Sequence, residues 1–69
     1  MYQVFVRDWW QENPAWPNGL EPRGDAPKHK LGRYKTIEEA RAACRDYMDN
    51  HVFSKNERRL GRAAEFESL

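Results

Sequence analysis

Residues 36–50, TIEEARAACRDYMDN, decide the fold of this 69-residue chain. Thr36 followed by Glu39 is a capping-box pattern, in which the hydroxyl accepts from the Glu39 amide and the carboxylate reaches back to the Thr36 amide. Glu38 and Glu39 also suit the positive end of a helix dipole. We predict one amphipathic helix that ends near Asn50, a common terminator. Its apolar stripe follows helical spacing through Ile37, Ala40, Ala43, Cys44, Tyr47, Met48 and His51.

The segments on either side of this helix predict strands. Residues 2–9 are rich in aromatic and β-branched side chains, which is typical of a strand, and a second strand is expected over about residues 28–35. Residues 54–69 fit either a short helix or an edge strand paired with the first strand. We favour the strand, because one helix needs a sheet of at least three strands to cover. The predicted fold is α+β: a small three-stranded antiparallel sheet with one helix packed on a face, in the order β-β-α-β, in a single domain of residues 1–69.

A long loop rich in tryptophan and proline is predicted between the first two strands, over residues 11–27. All three tryptophans and all four prolines fall within residues 8–30, and Asn18-Gly19 suits a turn that needs a positive φ. Each large aromatic ring buries about 150–250 Å². We therefore expect an ordered Ω-like flap whose tryptophans cover the sheet face opposite the helix. The alternative is that one ring stays exposed, to stack on a nucleobase or to anchor a protein interface.

Residues 31–43, LGRYKTIEEARAA, resemble the strand-cap-helix passage of two groups of DNA-binding domains. These are the plant ethylene-response-type domain and the arm-type domain of phage integrases. The resemblance implies a three-stranded sheet on one helix, with DNA read by side chains of the exposed sheet face. The whole chain is also similar to small bacterial and phage proteins without an assigned activity. That likeness lies in Asp8-Trp9-Trp10, in residues 13–19 (NPAWPNG) and in residues 62–66 (RAAEF).

Positive charge is concentrated in two segments although the net charge is only +1. Residues 22–35 carry five basic side chains against one acidic, and residues 55–62 carry four against one. Such segregation can create a local attractive patch for phosphates. We therefore predict a non-enzymatic binding module for DNA or RNA, the alternative being two solvated loops without a partner. The predicted nucleic-acid-binding residues are Lys28, Lys30, Arg33, Lys35, Arg58, Arg59 and Arg62, with Trp10 stacking on a base.

A second functional prediction involves a protein partner. In this interpretation the chain is a small accessory or host-modulating protein, encoded by a phage, that binds another protein through its tryptophan-rich loop. Salt dependence separates the two predictions, because phosphate binding weakens steeply with salt.

Catalysis is not expected. There is no Ser-His-acid arrangement and no glycine-rich phosphate loop, and Cys44 lies on the predicted buried stripe. His29 and His51 show no metal-ligand spacing, so neither a metal nor a cofactor is predicted. No apolar run approaches the roughly 20 residues that span a bilayer, and the N-terminus lacks the pattern of a signal peptide. Together with the single cysteine, these features predict a cytoplasmic protein with no membrane contact.

Overall fold

The computed structural model describes residues 1–69 and contains five strands and two helices. In chain order these are β1 (Tyr2–Asp8), β2 (Trp10–Glu12), β3 (Leu20–Pro22), β4 (His29–Tyr34), α1 (Ile37–Asn50), α2 (Lys55–Arg59) and β5 (Arg62–Ser68). The main sheet is antiparallel with the order β4-β1-β5, and β2 and β3 form a second, two-stranded sheet. The predicted α+β class, a three-stranded antiparallel sheet with one main helix, is confirmed.

The central strand β1 is buried on both of its faces. Side chains alternate along a strand, so Val4 and Val6 face α1 while Gln3 and Phe5 face the opposite, open side of the sheet. All four are buried, and α1 contributes a fully buried Ala40. The core is therefore thin, since only six of the 69 residues are buried.

Helix α1 has the bounds that its sequence predicts. The Thr36 hydroxyl accepts from the Glu39 N–H at 3.2 Å. The Glu39 carboxylate accepts from the same hydroxyl at 3.0 Å, and not from the Thr36 amide as predicted. At the other end, the Asn50 side-chain amide donates to the Asp46 carbonyl at 2.9 Å, and His51 is the C-cap. Neither helix combines the length and apolar character that a bilayer crossing requires.

The C-terminal segment forms the predicted edge strand and not the alternative helix over residues 60–67, and a separate short helix precedes the strand. Ser54 caps the short helix α2 through a complete capping box with Glu57. After a turn at Gly61, β5 pairs with β1 along its whole length, from Arg62 opposite Asp8 to Ser68 opposite Tyr2. The predicted third strand is therefore confirmed.

The prediction of a loop over residues 11–27 is wrong where β2 and β3 form. β2 continues the path of β1 after a break at Trp9, and β3 returns beside it, with Arg23 N–H donating to the Trp9 carbonyl at 2.9 Å. We refer to residues 9–22 as the arm. The molecule measures 42 × 25 × 14 Å, with a Cα radius of gyration of 13.4 Å. A compact domain of this length would have about 11 Å, so the arm makes the molecule long and flat.

Candidate binding surfaces

Two fused turns form the tip of the arm. The Asn13 carbonyl accepts from the Trp16 N–H at 3.0 Å, and the Trp16 carbonyl accepts from the Gly19 N–H at 2.9 Å. Pro14 and Pro17 each occupy the second position of a turn, where their fixed φ is favoured. Gly19 has φ +73°, which confirms the predicted positive φ. Trp16 is therefore held at the junction of two rigid turns.

The base of the arm is anchored on the turn between α2 and β5. The Trp10 N–H donates to the Leu60 carbonyl at 3.0 Å. The Trp10 indole lies against Gly61 so closely that a Cβ there would be 2.8 Å from the indole Cδ1. Glu12 forms an ion pair with Arg59. Trp10 and Arg59, both predicted to contact nucleic acid, thus help to hold the arm in place.

The predicted tryptophan core is wrong. The side chains of all three tryptophans are exposed. The exposed fraction is between 39% and 44% for Trp9, Trp10 and Trp16. The open face is covered instead by residues 23–28, where Ala26 is buried and the Lys28 ammonium lies 4.8 Å from the centre of the Phe5 ring. The tryptophans stay exposed because the arm extends away from the sheet and does not fold over it.

Cations on the open face are already engaged within the chain. The Arg7 guanidinium stacks 4.0 Å from the centre of the Trp9 ring and donates to Glu65 at 2.8 Å. Lys28 repeats this arrangement, since it covers an aromatic ring and donates to Glu67 at 2.6 Å. A cation over an aromatic face is stabilised by the ring quadrupole. Lys28 therefore has an intramolecular carboxylate partner and is not a free phosphate ligand.

Arg62 is held in a cluster that joins the end of α1 to the sheet. It donates to both Asp8 oxygens, at 2.8 and 3.2 Å, and to Glu57 at 2.8 Å. The hydrogen bond to Asp8 is the main cause that raises the Arg62 pKa. The Ser54 N–H, and next the His51 ring, lower the Glu57 pKa to about 2. Arg62, another predicted phosphate contact, is thus an internal bridge.

The remaining predicted cations have no ion-pair partner. They are Lys30, Arg33, Lys35 and Arg58. The first three lie on β4 or directly after it, and we refer to Lys30, Arg33 and Lys35 as the basic stripe. All are exposed.

The strand register keeps the two predicted basic segments apart. Arg33 is level with Gln3, whereas Arg62 is level with Asp8 at the other end of β1. At about 3.3 Å per residue these levels are about 17 Å apart, and β1 lies between the two strands. Trp10, on the arm, lies farther still from Arg33. The structure thus does not gather the predicted residues into one surface.

The other reactive side chains do not come together in a catalytic or metal site. Cys44 is half-buried, and burial raises the pKa of its thiol. The structure contains no pocket and no group of three or more His, Cys, Asp or Glu side chains suited to a metal ion. Its surfaces offer binding contacts in the form of exposed aromatic rings and unpaired cations.

Comparison with known proteins finds no matching family model, no matching curated protein and no matching solved structure. The resemblance to DNA-binding domains and to phage proteins stays a prediction.

Two features of these surfaces were missed in the sequence. Arg7 and Trp9 are two residues apart on a strand, so the period of two could have predicted their stacking. Ser54 followed by Glu57 is a capping-box pattern that could have located α2. The pairing of Arg7 with Glu65 depends on the register of β1 and β5, for which no local signal exists.

Replacing Gly61 tests the anchoring of the arm. Gly61→Ala places a Cβ against Trp10 at a residue with φ +68°, and we expect a loss of about 1–3 kcal/mol in the free energy of unfolding. Gly24→Ala is the matched control, because no atom lies within 4 Å of a Cβ there. Urea unfolding followed by tryptophan fluorescence measures both variants. Equal effects of the two substitutions would contradict the anchoring contact.

Acid titration tests the Glu57 cluster. A carboxylate with a lowered pKa stabilises the fold above its unfolded pKa, and this stabilisation is lost as the pH falls through the folded value. We expect the contribution of Glu57 to disappear between pH 4.5 and about 2. In Glu57→Gln the loss of stability over this window should be smaller, as measured by thermal unfolding at each pH. Glu38→Gln, which removes no side-chain hydrogen bond, is the control, and an unchanged Glu57→Gln profile would refute the assignment.

Proposed function

We propose that this chain is a non-catalytic binding module whose arm binds a protein partner. The observation that carries the proposal is Trp16, 43% exposed at the tip of two fused turns. Tryptophan and arginine dominate the hot spots of protein interfaces, and Trp9, which is 44% exposed and stacked on the Arg7 guanidinium, offers a second exposed indole. A preorganised tip also reduces the entropy lost on binding.

The charge of the arm favours a protein over a nucleic acid. No lysine or arginine occurs between Arg7 and Arg23, and the arm itself carries Glu12 and Glu21. Affinity for nucleic acids comes largely from cations that neutralise phosphates. A strand of DNA or RNA would therefore meet the exposed Trp16 ring with no lysine or arginine of the arm beside it.

Nucleic-acid binding through the basic stripe is a second candidate function. Its support is that the three cations of the stripe have no carboxylate partner and span about 17 Å along one edge strand. It ranks second because the two other cations on the open face, Arg7 and Lys28, are already paired with Glu65 and Glu67. Three cations also provide few phosphate contacts.

Site-specific photocrosslinking in cells tests the protein partner. A photoreactive residue in place of Trp16 should give a discrete adduct that protease removes and nuclease does not. The matched control has the same residue in place of Arg45, which is exposed on α1. The adduct should be lost when Trp9→Ala is added. Equal labelling from both positions, or none from Trp16, would contradict the proposal.

An NMR titration with short single- and double-stranded oligonucleotides tests the second candidate. Binding by the stripe should shift the amides of residues 29–35. The logarithm of the binding constant should fall with the logarithm of salt concentration with a slope of about −2 to −3, as expected for three phosphate contacts. The absence of shifts at low salt would reject this candidate and leave the proposal for the arm unaffected.

A further inference from the structure

One long edge of the molecule has no strand beside it. β3 and β4 lie on the same side of β1 and β2, because β5 and the Leu60 carbonyl occupy the other side. Each is the outermost strand of its sheet. The segment between them leaves the edge and crosses the open face, where Lys28 reaches Glu67 on β5. We refer to β3 and β4 together as the return edge.

The two halves of the return edge carry opposite charges that no ion pair within the chain compensates. On β3, the Glu21 carboxylate accepts only from the side-chain amide of Asn13, at 2.7 Å. On β4, the basic stripe has no carboxylate partner. An exposed apolar side chain lies at or beside each half of the edge. Trp16 at the tip of the arm is 43% exposed, and Leu31 on β4 is 48% exposed.

We infer that a second copy of this chain covers the return edge, in a two-fold symmetric dimer with antiparallel long axes. This inference rests on the proposed function, because it names the partner of the arm. Glu21 is level with Gln11, and Arg33 is level with Gln3. A two-fold axis midway, at the level of Arg7, therefore places Glu21 of each copy opposite Arg33 of the other. Each arm tip then lies beside the far end of β4 in the other copy.

The contact is made by side chains and not by a shared backbone ladder. The pairing of β4 with β1 skips Leu31, which marks a bulge, and Pro22 on β3 has no N–H to donate. Carboxylates facing cations, and exposed indole rings facing lysine and arginine, are the complementary groups. Because the same patch serves on both copies, a two-fold contact satisfies both halves of the edge at once.

The long, flat shape exposes more surface than a compact chain of the same mass. The accessible surface is 5028 Å², whereas a compact monomer of this mass would expose about 4,500 Å². The excess of about 500 Å² is smaller than the roughly 800 Å² that each partner contributes to a standard interface, so the dimer would also cover surface that a compact monomer exposes.

Sedimentation of the whole chain over a range of concentrations tests the dimer. The wild type should show a concentration-dependent species of twice 8.2 kDa. Lys30→Glu with Arg33→Glu should weaken the dimer by on the order of 100-fold, because like charges then face each other, and Glu21→Lys should do the same. An equimolar mixture of these two variants should restore the dimer, since each arm again meets the opposite charge.

Two controls keep the result interpretable. Arg41→Glu with Arg45→Glu makes the same charge change on exposed positions of α1 and should leave the dimer unchanged. Trp16→Ala should weaken the dimer without any change in charge. It therefore tests the dimer independently if a charge-reversal variant does not fold. Far-UV circular dichroism checks that each variant is folded.

The outcomes separate the dimer from the proposed function. A wild type that stays monomeric up to about 1 mM, a stripe variant that dimerises normally or a mixture that stays monomeric overturns the dimer. A monomer that still crosslinks from position 16 to another protein overturns the dimer and leaves the proposed function in place. A monomer without any such crosslink overturns both.

Discussion

The burial of a single strand on both faces and both edges supports this structure. β1 pairs with β4 on one side and with β5 on the other. Its Val4 and Val6 meet α1, while Phe5 lies under Lys28. A chain of this size buries a smaller fraction of its surface than a larger domain does, and here four of the six buried residues belong to β1. The other elements are held in place chiefly by packing against β1 or by pairing with it.

The two edges of the main sheet are protected in different ways. At the edge of β5, the Ala64 N–H donates to the Met48 sulfur at 3.4 Å, so a side chain of α1 takes up one of the backbone donors that an added strand would need. The edge of β4 has only a bulge and exposed cations, which discourage backbone pairing but leave side chains free. Contact with a partner is therefore favoured on the side of β4 and the arm. The difference arises because α1 packs more closely on β5 than on β4.

The parts of the fold that could be predicted are those with local signals. Thr36 and Asn50 mark the ends of α1, and alternating residues mark β1 and β5. The hairpin of the arm is hard to predict because Asn13-Pro14 and Trp16-Pro17 each indicate a break in regular structure, whereas two turns that share Trp16 reverse the chain together.

The binding surfaces were predicted less well, because they depend on the register in which distant strands pair. Sequence alone identifies Lys28, Arg59 and Arg62 as cations, but their carboxylates lie on distant segments that only the folded chain brings near. The exposure of the tryptophans depends likewise on the direction of the arm, which is set by its contact with Gly61 and Leu60.

The pairing of the first strand with the last has a consequence for how the protein forms during synthesis. Asp8 meets Arg62, and Met1 accepts a hydrogen bond from Leu69, so β1 lacks one neighbour until residues 62–68 have left the ribosome. Leu60 and Gly61, which anchor the arm, likewise leave the ribosome long after the arm itself. Contacts between such distant parts of a chain slow folding. The nascent N-terminal half therefore keeps one edge of β1 unpaired, and the arm without its anchor, until residues 60–68 have emerged.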